Sequence, residues 1–221
     1  MESLRTTNEW NNQWINEGKI QDVIFNNSYS FRRLKEYIKE SNIKVCEFGC
    51  GGGLWLKFFK DLGCSVYGVD TSQEGLNLAN QRVIGDLRFE SVEKTSFNDN
   101  EFDLVFSLGL LEHFNDEQII SILKEKIRVS KSKVVVSVPN RSKLSMLWLY
   151  ELFTGRCKDE RVLSKRDLIN LFEKAGLKQI EAKYGGLFIP ILRNRSWFNR
   201  LNLKWLENRF TSDYIIARGV K

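Results

Sequence analysis

Residues 44–54 combine residue types and a spacing that could bind a ligand. A short apolar run ends at a carboxylate, Glu47, and glycines follow at every second position, Gly49, Gly51 and Gly53. Because glycine has no Cβ, the backbone can turn tightly after a strand and approach a ligand closely. Glu47 can accept hydrogen bonds from an amine or a hydroxyl. The pattern predicts a binding site at the end of a β-strand, and the alternative is a glycine-rich turn without a ligand.

A second carboxylate ends the next apolar segment. Residues 65–70 form a short β-type run that ends at Asp70, about 20 residues beyond the glycines, where nucleotide-binding α/β folds place an acid on the ribose hydroxyls. Asp70 could instead cap the following helix. Thr71 or Ser72 could make that cap equally well, which would leave Asp70 for a ligand.

The order of these residues distinguishes two kinds of nucleotide site. In the dinucleotide pattern G-x-G-x-x-G the last glycine would fall at position 54, which holds Leu54. The observed E-x-G-x-G-x-G instead resembles motif I of the class I S-adenosyl-L-methionine (SAM) dependent methyltransferases. The resemblance implies that the chain is an enzyme, that SAM is its cofactor, and that Glu47, the three glycines and Asp70 bind it.

Residues 87–107 are similar to a further part of this family, with a strand, an acid, a small residue, a turn, Phe-Asp and a second strand. In the family the acid binds the adenine amino group. Here Ser91 stands at that position, so its hydroxyl and the Val92 backbone N–H are the implied adenine contacts. Asp86 is an alternative acid, but it precedes the strand and is expected to cap or turn. The resemblance also places Leu108 at the cofactor.

Residues 107–114 resemble the S-x-x-x-L-E-H segment of the small-molecule branch, which includes quinone, sugar and natural-product methyltransferases. His113, the one histidine in the sequence, is the candidate general base because imidazole exchanges protons near neutral pH. A packed, hydrogen-bonded histidine is the alternative. Residues 107–110 replace the Asn-Pro-Pro-aromatic run of enzymes that methylate adenine or amide nitrogens. The implied reaction is therefore O-methylation of a small-molecule, sugar or lipid-linked hydroxyl.

The charge of the chain is unevenly distributed. Residues 1–139 contain 17 basic and 20 acidic side chains, whereas residues 140–221 contain 17 basic and 8 acidic ones. A basic excess can indicate an anionic partner or simply a solvated face. An RNA-directed methyltransferase is therefore one alternative function, although no separate RNA-binding module is visible and nucleic acid is not the expected partner. A non-catalytic SAM-binding partner subunit is another, and peripheral membrane contact is compatible with the sequence.

Length and composition set further limits. A chain of 221 residues fits a single domain. It has no apolar run of about 18 residues and no apolar signal core near residue 1, which favours a cytoplasmic location. The four cysteines have no metal-ligand spacing, so no metal is predicted and reduced thiols are expected.

The periodicity alternates between strand and helix, which is typical of a parallel sheet covered by helices. Together with the resemblance, it predicts an α/β, Rossmann-like sheet of seven strands, mostly parallel with an antiparallel last strand and helices on both faces. The predicted strands are residues 44–48, 65–69, 87–91, 103–107, 133–138, 178–183 and 213–219. The predicted helices are residues 7–17, 28–41, 53–62, 73–82, 116–128 and 165–175. We interpret residues 1–41 as N-terminal helices and residues 141–163 and 185–210 as lid-like insertions within one domain, residues 1–221.

Overall fold

A computed structural model of the chain describes residues 6–12, 14, 29–141, 160–186, 207, 209, 212 and 214–221. The predicted insertions 141–163 and 185–210 lie largely outside these residues, as does most of the segment between the first two predicted helices. No helix in the described part of the chain is long and apolar enough to cross a membrane.

One seven-stranded sheet forms the centre of the fold, in the order β3-β2-β1-β4-β5-β7-β6. The strands are β1 (Lys44–Phe48), β2 (Ser65–Asp70), β3 (Asp86–Phe89), β4 (Phe102–Leu108), β5 (Ser130–Pro139), β6 (Lys178–Gly185) and β7 (Tyr214–Val220). The pairs among β1 to β5 are parallel, and β7 runs antiparallel to both β5 and β6. The predicted sheet, with its antiparallel last strand, is confirmed.

Helices connect the strands and cover both faces. In the first helix, α1, residues 7–12 and 14 are helical. The others are α2 (Tyr29–Ile38), α3 (Leu54–Asp61), α4 (Gln73–Arg82), α5 (Asp116–Val129) and α6 (Lys165–Ala175), and a short 3-10 helix (Leu111–His113) precedes α5. Ser164 and Gly176 bound α6, whose limits match the predicted helix 165–175. Ser164 makes a capping box with Asp167, and Gly176 adopts the left-handed conformation that favours glycine.

Two apolar clusters lie on opposite faces of the sheet. One contains Val105 of β4 and the buried sides of α5 and α6. The other contains the neighbouring residues Leu104 and Phe106, together with the buried sides of α2, α3 and α4. This alternation follows from the period of two along a strand. Both faces of the central strands are therefore buried, as a parallel sheet requires.

The strand boundaries differ from the predicted ones at two places, of which the first affects a predicted site residue. Strand β3 ends at Phe89, so Ser91 lies in the following loop rather than in the strand. Strand β5 begins at Ser130, which pairs with Phe102 before an irregularity in the register. Sequence patterns locate strand ends only to within a few residues.

Candidate functional site

The carboxyl ends of β1, β2 and β4 meet at one edge of the sheet. Glu47 is paired in register with Gly68 on one side and Phe106 on the other. After β1 the chain turns, and the backbone N–H groups of Gly49 and Cys50 donate to the Val69 carbonyl, with N···O distances of 2.8 and 3.1 Å. These bonds hold the glycine loop against the end of β2. Ligands bind at this edge in open α/β folds.

Glu47 is a buried carboxylate, with only 2% of its surface exposed. Burial raises its pKa well above the usual value, the nearby charge of Asp70 raises it further, and the charge of Lys126 lowers it. Within the described residues, no donor bonds its buried Oε2 atom. A buried acceptor without a donor is costly. Glu47 is therefore well suited to a ligand that brings an ammonium or hydroxyl donor, as the amino-acid part of SAM does.

Asp70 lies across the glycine loop from Glu47 and is partly exposed. Its Oδ2 accepts a hydrogen bond from the Gly51 backbone N–H at 2.7 Å, and its Oδ1 accepts one from Ser72 N–H at 2.8 Å. Burial raises its pKa, and these backbone donors oppose the rise. A carboxylate oxygen has two lone pairs, so each can accept a further bond from a ribose hydroxyl.

The helix after β2 is capped by Ser72 and not by Asp70. The Ser72 hydroxyl accepts a hydrogen bond from the Gly75 backbone N–H at 3.0 Å, at the first turn of α4. The same hydroxyl donates to Asn11 Oδ1 of α1 at 2.7 Å. The Asp70 carboxylate thus faces the glycine loop, as the proposed ribose contact requires.

The three glycines of the loop all have positive φ angles, 73° at Gly49, 45° at Gly51 and 75° at Gly53. A Cβ on Gly49 would come within 2.8 Å of the Leu110 side chain, and one on Gly53 within 2.8 Å of Ala79 Cβ. Larger residues would therefore be strained and would also clash. The sequence predicts glycine here because a ligand approaches closely. These contacts give a second reason for glycine, which is packing within the protein.

At Gly51 the close neighbour is Trp14 of α1. A Cβ on Gly51 would overlap the Trp14 indole, and one on Gly75 would lie 3.1 Å from the indole nitrogen. This contact could not be predicted from the sequence, because no local pattern links residue 14 to the glycine loop. Helix α1 thus packs directly on the glycine loop.

His113 contacts α1 at a second place, nearer the start of that helix, through Trp10. It is buried at the end of the short 3-10 helix that follows β4. The Trp10 ring packs against the imidazole at 90°, with the ring centroids 4.7 Å apart. The structure therefore makes His113 a packed residue and also places it beside the edge that carries Glu47 and Asp70. Its role as a base remains a prediction.

Two acidic residues lie close to His113, and an arginine pairs with one of them. Ligand atoms of Glu112, His113 and Glu160 lie within 4.8 Å of one another. Arg141, which is also buried, pairs with Glu160 through Nη1 at 2.6 Å. The donor set could hold a cation in principle, but the guanidinium already supplies positive charge there. This cluster could not be predicted from the sequence, since Glu160 is far from His113 in the chain.

The remaining predicted cofactor residues lie along the same edge. Ser91 is exposed, and its hydroxyl accepts a hydrogen bond from the Glu93 backbone N–H at 3.2 Å. Val92 is buried in the same apolar cluster as Val69, near the end of β2. Leu108 ends β4 and is partly buried. Their contacts with the adenosine and methionine parts of SAM remain predictions.

A buried lysine below this edge was also missed. Lys126 is fully buried in α5, and its Nζ donates a hydrogen bond to the Ser107 hydroxyl near the end of β4. The sequence does carry a signal for it. Lys126 continues the apolar spacing of Ile119, Ile122 and Leu123, so helical periodicity places it on the buried side of α5.

Comparisons with known proteins agree with this geometry. A family model described as "Methyltransferase domain" matches residues 26–182. The chain is 25% identical over 215 residues to the ubiquinone biosynthesis O-methyltransferase of Pelagibacter ubique, covering 86% of each protein. It is 26% identical over 172 residues to the enzyme of the same name from Bartonella quintana, covering 71% of this chain and 67% of the relative.

A solved structure shows the same fold. It is a SAM-dependent methyltransferase of Thermotoga maritima, described as a possible histamine N-methyltransferase, with a TM-score of 0.73, 20% identity, and 96% of this chain and 99% of that chain covered. The predicted family, fold and cofactor are confirmed. The edge that carries Glu47, the glycine loop and Asp70 has the features expected of a SAM site, and the chain belongs to the methyltransferase domain family of SAM-dependent enzymes.

Proposed function

We propose that this enzyme transfers the methyl group of SAM to a hydroxyl group of a small molecule, of the kind handled in ubiquinone biosynthesis. The observation that carries the proposal is the position of His113, buried at the end of the 3-10 helix that follows β4, beside the edge that carries Glu47 and Asp70. An imidazole there can take the proton that a hydroxyl must lose on methylation. The names of the two ubiquinone biosynthesis relatives support the choice of acceptor.

The cofactor residues have separate roles in this proposal. Glu47 receives the ammonium group of the cofactor, the glycine loop lets its backbone approach, and Asp70 holds the ribose hydroxyls. Ser91, Val92 and Leu108 line the adenosine and methionine ends. SAM supplies a methyl group made electrophilic by its sulfonium. The chain itself supplies orientation, since holding the two reacting groups in line accounts for much of the rate in such reactions.

The Trp10 side chain and the acidic cluster define the acceptor side. Trp10 covers one side of the His113 imidazole, which limits the access of water from that side. Glu112 and Glu160 place carboxylates near the ring, and Arg141 pairs with one of them, Glu160. The arrangement suits a histidine that accepts a proton during the reaction and releases it afterwards.

Finer features of the function are also proposals. A sugar or lipid-linked acceptor, or peripheral membrane contact, would involve the basic segment 185–210. A single domain over residues 1–221 is the simplest organisation. A cytoplasmic location is supported by the free thiols of Cys46, Cys50 and Cys64. The RNA-directed and non-catalytic alternatives receive no support from the relatives.

An acceptor screen with methyl-labelled SAM tests the proposed function. The purified enzyme is incubated with hydroxylated ring compounds, sugars and the amines histamine and phosphoethanolamine, and the products are identified by mass spectrometry. We expect label on the oxygen of a hydroxylated ring. Label on an amine nitrogen, with no O-methylated product from any hydroxyl compound, would contradict the proposal. An Asp70→Ala variant controls for label transfer that does not depend on the cofactor site.

A further inference from the structure

The buried lysine of α5 has no role in the mechanism above. Lys126 is 0% exposed and lies among apolar residues of the cluster between α5 and the sheet. Burying an ammonium group costs several kcal/mol unless it is well compensated. An apolar residue would satisfy the packing of this position, because Ile122, Leu123 and Val129 of the same helix belong to the apolar cluster on this face of the sheet. The lysine therefore needs a reason beyond packing.

Its amine lies beneath the ends of the two strands that form the cofactor edge. The Nζ donates to the Ser107 hydroxyl and is 5.4 Å from the centroid of the Phe48 ring. Phe48 and Ser107 each follow by one residue the register pair of Glu47 and Phe106, so their side chains and the amine lie on the opposite face of the sheet from the Glu47 side chain. Among the described residues, no carboxylate lies within ion-pair distance of the amine. Its positive charge is thus directed at the strand ends without being neutralised by direct contact.

The charges around Lys126 couple it to the proposed ammonium-binding acid. Burial lowers the pKa of Lys126 to about 7, and the titratable groups that oppose this are Cys46 and Glu47, both on β1. In return, the charge of Lys126 lowers the pKa of Glu47, which burial and Asp70 raise. Ser107 contributes a neutral hydroxyl from β4. Each of the two buried groups therefore favours the charged form of the other.

We propose that Lys126 is a positioning residue of the cofactor site, whose buried amine favours the ionised form of Glu47 from the other face of the sheet without touching the cofactor. The inference rests on the proposed role of Glu47 in the cofactor site. An ionised Glu47 binds the ammonium group of SAM or of its product S-adenosyl-L-homocysteine (SAH), and a protonated one does not. The amine acts through the field that it places on that carboxylate.

The effect of Lys126 on cofactor binding should depend on pH. Below the pKa of Lys126 the amine is charged and supports ionisation of Glu47. Above it the amine is neutral, so replacing it with an apolar group changes little. A shift of one unit in the pKa of Glu47 corresponds to a change of up to about ten-fold in affinity wherever Glu47 is partly protonated. The effect of removing the amine should therefore be present at pH 6 and absent at pH 9.

The test is SAH binding by calorimetry between pH 6 and pH 9, for the wild-type enzyme and for Lys126→Met. We expect the variant to bind about three- to ten-fold more weakly at pH 6 and equally well at pH 9. Lys124→Met is the matched control, because Lys124 is exposed on the same helix, and it should bind as the wild type does. An unchanged affinity at pH 6, or a loss of equal size at both pH values, would overturn the proposal.

Two further variants separate this proposal from the one on which it rests. If Glu47→Gln binds SAH as tightly as the wild type, the assignment of Glu47 to the cofactor is wrong. If Glu47→Gln binds weakly and Lys126→Met weakens it further at pH 6, Lys126 acts on something other than Glu47. Should Lys126→Met fail to fold, Ser107→Ala removes the hydrogen bond that orients the amine, and a loss confined to low pH is again expected.

Discussion

The Trp10 ring stands edge-on to the His113 imidazole, with their centroids 4.7 Å apart and their planes at 90°. This contact joins the first helix of the chain to the candidate base, which lies about a hundred residues further along. Edge-to-face pairs of this kind contribute about 0.5–1.5 kcal/mol beyond the area that they bury. The contact therefore restricts the orientation of a ring whose orientation matters if it accepts a proton.

Replacing His113 with Gln should lower turnover by about 10²–10⁴-fold, the usual cost of losing a general base. SAH affinity should stay within about two-fold of the wild type, because His113 is not among the proposed cofactor contacts. Single-turnover kinetics and calorimetry give the two numbers. Trp10→Phe retains an aromatic edge and should retain most of the activity. Near-normal turnover in His113→Gln would assign the histidine to packing alone.

Asp70→Ala should weaken SAH binding by about ten-fold or more, since hydrogen bonds to a charged carboxylate contribute roughly 1.5–3 kcal/mol. The same change also removes the acceptor for the Gly51 and Ser72 backbone N–H groups. Asp70→Asn is a milder comparison, because its amide oxygen can still accept one of these bonds. Calorimetry measures affinity, and circular dichroism checks that the fold is kept. An affinity like that of the wild type in both variants would exclude the ribose assignment.

The contact between Trp14 and Gly51 can be measured with a double-mutant cycle. In the wild-type background Gly51→Ala should be strongly destabilising for two reasons. The backbone at residue 51 has a positive φ, and the added Cβ would meet the Trp14 indole. In a Trp14→Ala background the clash is gone and only the backbone strain remains, which costs about 1–2 kcal/mol. Urea unfolding of the four proteins gives the coupling free energy. A coupling close to zero would show that α1 does not pack on the glycine loop in solution.

Glu47→Gln should stabilise the protein while weakening cofactor binding. Burial raises the pKa of Glu47 above its usual value of 4.5, so the folded state binds its proton more tightly than the unfolded state does. The wild type therefore loses stability as the pH rises from that value through the raised pKa. The variant lacks this loss, and its advantage in unfolding free energy should grow by about 1 kcal/mol or more between pH 5 and pH 8.

Urea unfolding at the two pH values measures this advantage. Glu173→Gln, at an exposed position of α6, is the control and should show no such trend. A stability difference for Glu47→Gln that is constant with pH would mean that the Glu47 carboxyl titrates normally.

The sequence by itself determined the order of the strands and helices and the ligand edge of the sheet. Local rules place Glu47, the glycines and Asp70 at strand ends and in a tight turn, because strand ends, tight turns and caps depend on residues that are close in the chain. The roles of Ser164 and Gly176 at the ends of α6 could be predicted for the same reason. The end of β3 could not, since it depends on pairing with β2.

Only the tertiary structure decided which side chains complete the site. Four contacts of the site each join segments that are distant in the chain. They are Trp14 on Gly51, Trp10 on His113, Glu160 near His113 and Lys126 beneath Ser107. The periodicity of α5 could have marked Lys126 as buried, but it could not say which strand ends the amine would face. That information is absent from any local pattern, because the packing of whole elements fixes which distant residues meet.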